Sequence, residues 1–202
     1  MAINKINIPN RETRTYRASM EMEEGGKTVT GYAAVFNSLS EEMWGFRERI
    51  DSAAFEGTDM TDVRALFNHD PNMLLARSSS GTLSLSVDEK GLRYSFDLPD
   101  TTAGRDLGEM LRRGDVSQSS FGFTISDDEW IETRNDDGEV ETTTRVIKKI
   151  QRLFDVSPVT YPAYPDASVA LRSMEQWREG QRPTPPAKKE TPFLNNAERM
   201  MI

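Results

Sequence analysis

The run Thr82-Leu83-Ser84-Leu85-Ser86-Val87 alternates polar and apolar side chains in strict period two. Only an extended strand puts such a series on one face, so this segment belongs to a sheet with one covered side. Asp88-Glu89-Lys90-Gly91 is turn chemistry, and Leu92–Leu98 (LRYSFDL) follows it, which predicts a β-hairpin. The same signals recur along the chain. Thr13–Met22 and Thr28–Phe36 are extended runs on either side of Glu24-Gly25-Gly26-Lys27. Residues 62–68 (DVRALFN) read as a short apolar strand that ends at His69-Asp70-Pro71, where the proline pushes Asp70 away from helical angles. Val116–Ile125 and Val140–Val159 are extended, with a turn at Asn135-Asp136-Asp137-Gly138 whose charged surroundings predict an exposed hairpin or mobile loop.

Two segments read as helix instead. Thr101 or Thr102 caps the first, Leu107, Met110 and Leu111 recur at helical spacing, and Gly114 stops it after Arg112 and Arg113. The second covers 168–178 through Val169, Leu171, Met174 and Trp177. With about eight strands against one or two helices, the fold class is mainly β with a few helices (α+β), a barrel or sandwich-like core flanked by short helices. Residues 1–12 show no periodicity and are assigned to a flexible N-terminal arm; 13–172 form the domain, and 173–202 a short helix and a proline-rich C-terminal tail.

Composition narrows the chemistry. The 202 residues contain no Cys and one His, which excludes disulfides, thiolate nucleophiles, Cys-ligated zinc and the paired histidines of zincins. Any metal would need oxygen ligands, and no metal or cofactor is expected. The 25 Lys and Arg against 33 Asp and Glu leave a net charge of −8, so nucleic acid is a disfavoured partner. No apolar run approaches membrane-spanning length, and MAINKINIPNRE lacks the apolar centre of a signal peptide, so no membrane partner and an intracellular location are expected.

The most informative stretch is Asp115-Val116-Ser117-Gln118-Ser119-Ser120-Phe121-Gly122-Phe123-Thr124-Ile125. In a strand, Ser119, Phe121, Phe123 and Ile125 share one face and Gln118, Ser120, Gly122 and Thr124 the other. The aromatic face is the core, so Ser120 points away from it beside the side-chain-free Gly122, an opening for a substrate backbone. The same pattern also fits an ordinary strand serine with Gly122 at a bulge. His69, at a strand end entering a turn, has the right side chain for a general base at neutral pH, or for a plain structural histidine. Asp155, in an apolar strand before Pro158, Pro162 and Pro165, needs a partner if buried: the imidazole, which it would orient, or an arginine such as Arg152; it also fits a partly exposed strand residue. Arg112 and Arg113 are weak oxyanion candidates, because the helix dipole alone accounts for basic residues in a last turn. The acidic residues of 127–141 resemble a cation site in charge only, without EF-hand spacing.

Taken in order, Gly31-Tyr32-Ala33-Ala34-Val35-Phe36-Asn37, Phe67-Asn68-His69-Asp70, Gly81-Thr82-Leu83, Leu98-Pro99-Asp100-Thr101, Arg113-Gly114-Asp115, Ser119-Ser120-Phe121-Gly122-Phe123, Asp155-Val156-Ser157-Pro158-Val159-Thr160 and Pro162-Ala163-Tyr164-Pro165 give the chain its identity as a sequence. From about residue 13 to 172 it resembles the prohead (procapsid) maturation proteases of tailed phages, the HK97-type family, similar in fold to the herpesvirus assemblins. The resemblance implies an assemblin-like β-barrel core and a serine endopeptidase with Ser120 as nucleophile and His69 as base. Assemblins use a second His as third member; this chain has one His, and Asp155 matches the acid that phage members often carry before Val-Ser-Pro. The implied partners are the capsid protein precursor with its scaffolding segment and the protease itself through autocleavage, inside the assembling procapsid in the host cell cytoplasm. A homo-oligomer is left open. Two other classes fit the same residues: a non-catalytic capsid-assembly or scaffold protein retaining the fold, and a β-rich binding module whose Ser and His are incidental.

Overall fold

The computed structural model describes residues 8–16, 20–22, 26–161 and 168–181. In chain order its elements are β1 (Glu12–Tyr16), β2 (Glu21–Met22), β3 (Thr28–Val35), β4 (Arg47–Ile50), β5 (Arg64–Phe67), β6 (Asp70–Arg77), β7 (Leu83–Val87), β8 (Gly91–Asp97), α1 (Thr102–Arg113), β9 (Gln118–Arg134), β10 (Val140–Val159) and α2 (Ser168–Gln181). The architecture is mainly β with two helices, as expected. The Pro162–Pro165 run and the proline-rich segment after Gln181 lie outside the described residues.

One sheet has the order β1-β9-β10-β5-β6 and the other β2-β3-β8-β7. The 20-residue β10 organises the first: β9 runs antiparallel along one flank, while β4 and then β5 pair parallel along the other, at Thr144–Ile147 and at Asp155-Val156. The sheets share one core, in which Leu83, Leu92, Tyr94 and Phe96 of the second meet Phe121, Phe123, Ile147 and Val156 of the first, with Leu107 of α1 buried among them. Each such Leu or Phe stabilises the fold by about 1.5–3 kcal/mol through burial. Helix α1 starts where Thr101 accepts the Gly104 N–H at 3.2 Å and ends at Gly114, whose φ of 78° closes the last turn. Helix α2 packs on the distal part of the β9–β10 hairpin, where Phe46, Trp130, Ala170 and Met174 form a second cluster. Among the described residues no helix is long and apolar enough to cross a membrane.

Several expectations need correction. The run Thr13–Met22 divides: β1 joins the first sheet and β2 the second. Glu12, assigned to the arm, begins β1 and is buried. Strands β4 and β6 carry no clear alternation. β6 opens with Asp-Pro, which the fold accepts because β6 is an edge strand and needs no outward ladder from Pro71. Of the two readings of the segment around 127–141 the hairpin is the one observed, with residues 135–139 between β9 and β10, and its charges find partners: Asp128 accepts from Arg145 and Ser173, and Glu132 pairs with Arg134 and Arg178.

Candidate active site

β5 and β6 are joined by a two-residue turn in which Asn68 and His69 have φ of 54° and 58°. Positive φ at both central positions is the tight hairpin geometry whose twist matches the strands, and it costs a non-glycine residue about 1 kcal/mol or more. Asn68 holds the turn in place. Its N–H donates to the Pro158 carbonyl at 3.0 Å, and its Oδ1 accepts the Thr160 N–H at 2.9 Å. The turn is thereby tied to the end of β10, and the imidazole of His69 is delivered over β9 and β10.

On β9 the two predicted faces separate as the alternation requires. Phe121 stacks on Phe123 at 4.4 Å in the core, and Ser119 faces the same side, where its hydroxyl lies 2.7 Å from the Tyr94 hydroxyl. Ser120 faces the other side, and its Oγ lies 2.7 Å from His69 Nε2. On β10 the pairing Phe123–Leu153 is followed by Gly122–Asp155, so Phe154 is an extra residue in the ladder. That bulge reverses the face of everything after it. Leu153 and Val156 remain in the core, and Asp155 and Ser157 stand on the His69 side, opposite Gly122 and Ser120.

The three predicted residues therefore meet. His69 Nδ1 contacts Asp155 Oδ2 while Nε2 faces Ser120. An ionised carboxylate only accepts hydrogen bonds, so the ring proton sits on Nδ1 and Nε2 is an acceptor. The Ser120 hydroxyl has one proton and two acceptors within reach, Nε2 and the Arg14 carbonyl of β1 at 3.0 Å. Ser120 is wholly buried and the His69 side chain is 15% exposed. Burial pushes the Asp155 carboxyl up, but the His69 hydrogen bond, the charge of Arg11 and the Ser157 hydroxyl outweigh it and hold the group below the usual carboxylate range.

Two participants escaped sequence reasoning. Ser157 donates to Asp155 Oδ2 at 3.0 Å and approaches His69 Nδ1 at 3.3 Å; its position two residues after Asp155 on a strand was a usable signal. Arg11 pairs with Asp155 Oδ1, and nothing local in the sequence points to it. The opening expected beside Gly122 is a correction. A Cβ there would lie 2.5 Å from Asp155 Oδ1 and 2.6 Å from Arg11 Nη2, so the missing side chain makes room for that ion pair and not for a substrate. Arg152, the other partner considered for Asp155, lies instead beside Asp59 at 3.4 Å and over the Phe154 ring. Arg112 and Arg113 pair on the surface with Glu109 and Asp115.

Comparison with known proteins bears on the same span. The family described as caudovirus prohead serine protease matches residues 14–180. The prohead protease of Enterobacteria phage HK97 is 29% identical over 161 residues, covering 73% of this chain and 65% of that relative. The chain thus spans a little under two-thirds of the relative's length. No solved structure matches.

Proposed function

The chain belongs to the caudovirus prohead serine protease family, and from that membership we propose that it is a serine endopeptidase acting on a phage capsid precursor during prohead maturation. The observation that carries the reading is the continuous hydrogen-bonded series Ser120–His69–Asp155, with His69 Nε2 at 2.7 Å from the hydroxyl. In this reading His69 takes the Ser120 proton as Oγ attacks a peptide carbonyl, and a tetrahedral adduct forms. The adduct collapses with cleavage of the C–N bond, and the imidazolium gives its proton to the departing amine. Water then attacks the ester as the same imidazole takes its proton, and the imidazolium returns that proton to Ser120 Oγ as the ester C–O bond breaks. Asp155 keeps the Nδ1–H tautomer and steadies the imidazolium. Ser120 is buried in the described state, so a peptide reaches it only after the groups around it rearrange.

The substrates in this reading are the scaffolding segment of the capsid precursor and the chain itself, within the assembling procapsid in the host cytoplasm. The test compares the mass of the purified chain, and of added capsid precursor, before and after incubation. Wild type shortens one or both. Ser120→Ala and His69→Ala abolish this, and Asp155→Asn slows it by about 10⁴-fold, the loss expected when the imidazole is held in the wrong tautomer. Ser119→Ala, on the core face, retains processing. Unchanged processing in Ser120→Ala would remove the serine mechanism, and an inert wild type would return the chain to the class of non-catalytic assembly components.

A further inference from the structure

The Asp155 carboxylate is bound from three directions. Oδ2 receives His69 from the β5–β6 turn and Ser157 from β10, and Oδ1 receives Arg11 from the segment before β1. Arg11 lies outside the residues matched by the family, which begin at 14. A local turn aims it inward: Asn10 has φ of 58°, and the Arg11 N–H donates to the Ile8 carbonyl at 3.2 Å. Its Nε is buried and has no hydrogen-bond partner among the described residues. Burying such a donor unpaired is unfavourable, and the arrangement that offsets this is the Nη2 contact with Asp155. The neighbouring arginine on β5, Arg64, turns to Asp62 at 3.0 Å and leaves Oδ1 to Arg11. Gly122 supplies the space the pair occupies.

We propose that Arg11 is a positioning residue for the proposed hydrolysis: its guanidinium clamps Asp155 Oδ1 so that Oδ2 stays turned toward His69 Nδ1. A carboxylate held at one oxygen only can rotate about its last bond and release the imidazole. The clamp acts through Asp155 and touches no substrate. This rests on the serine-protease reading above, but one of its measurements needs no turnover.

The chain has a single His, so the nitrogen NMR signals of one imidazole report its tautomer without assignment. In the Ser120→Ala protein, at a pH well above the ordinary imidazole range, the Nδ1–H form dominates. With Arg11→Met or Arg11→Gln added, the tautomers become mixed, and Arg11→Lys restores the Nδ1–H form. In the active protein, Arg11→Met lowers kcat on capsid precursor about tenfold with KM within about twofold, and Arg11→Lys recovers most of the loss. An unchanged tautomer in the neutral variants overturns the proposal, even if kcat falls, because a merely structural role predicts that outcome. Loss of the circular dichroism spectrum in both neutral variants overturns it as well, since the proposal assigns Arg11 to the site and not to the core. Failure of the protease reading shows separately, as processing that survives Ser120→Ala.

Discussion

A methyl group on residue 122 would stand 2.5 Å from Asp155 Oδ1 and 2.6–2.7 Å from the Arg11 guanidinium, closer than carbon approaches such atoms. The atoms in the way are ends of side chains, not backbone, so Gly122→Ala folds at a cost of about 1 kcal/mol while displacing the carboxylate. A shift on the order of 1 Å at an orienting group costs about 10²-fold in rate. In the proposed protease reading the expected outcome is therefore a capsid-precursor cleavage rate down about 10²-fold, with the urea midpoint lowered by only about 0.5 M, the shift that a loss of about 1 kcal/mol implies; full activity would show that Asp155 is not held by this socket. The glycine also shows where residue-level reading stopped. Alternation in Phe121-Gly122-Phe123 separated Ser119 from Ser120 correctly, since faces follow from strand geometry alone. What fills the space beside Gly122 depends on Arg11 and Asp155, more than a hundred and thirty positions apart from each other, and no local pattern carries that.

At the scale of elements, a turn and a bulge aim the site. The β5–β6 turn holds His69 at φ 58°, and Asn68 both accepts left-handed geometry and ties the turn to Pro158 and Thr160. Asn68→Ala loses the side-chain acceptor and places a Cβ residue without local compensation at positive φ, for a destabilisation of about 1–2 kcal/mol. In the proposed protease reading cleavage slows about tenfold as the imidazole loses its fixed approach to Ser120, and Asn68→Gly recovers stability more than rate. Thermal unfolding and cleavage rates measured together check this. The strand ending at His69 was legible from DVRALFN and Pro71, whereas the immediate return of the chain as β6 was not, because an Asp-Pro start reads as a break unless the strand is known to lie at an edge. The bulge at Phe154 was equally hidden. Regular alternation would put Asp155 on the face of Leu153, in the core, and the extra residue in the ladder reverses it.

Across the whole molecule, β1 is fastened by a buried charge network. Arg14 donates to Glu48 at 2.6 and 2.9 Å and to Glu12, and Arg145 of β10 donates to Glu12, Glu48 and Asp128. Desolvation works against the charge on Arg14, yet Glu48 and Glu12 hold its guanidinium firmly protonated. The network links the strand whose Arg14 carbonyl touches Ser120 to β4, β9 and β10. Removing one buried partner leaves guanidinium charge uncompensated, so Glu48→Gln should cost about 3 kcal/mol in urea unfolding; a change below about 1 kcal/mol would mean that packing alone holds β1. What the sequence by itself determined is the mainly β class, the α1 helix with its Thr101 cap and Gly114 stop and the hairpin at 82–98, and through the family resemblance it offered His69, Ser120 and Asp155 as candidates for one site. These follow from periods of 2 and 3.6 residues, from turn chemistry and from ordered motifs, all of which are local. Only the tertiary structure decided that the His69, Ser120 and Asp155 side chains meet, that Arg11 and Ser157 contact Asp155, that Gly122 leaves room for the Arg11–Asp155 pair and that Arg14, Glu12, Glu48 and Arg145 form one buried cluster. Those relations join distant segments through sheet order and a one-residue shift in register, and a register is set by packing between strands, which no single strand contains.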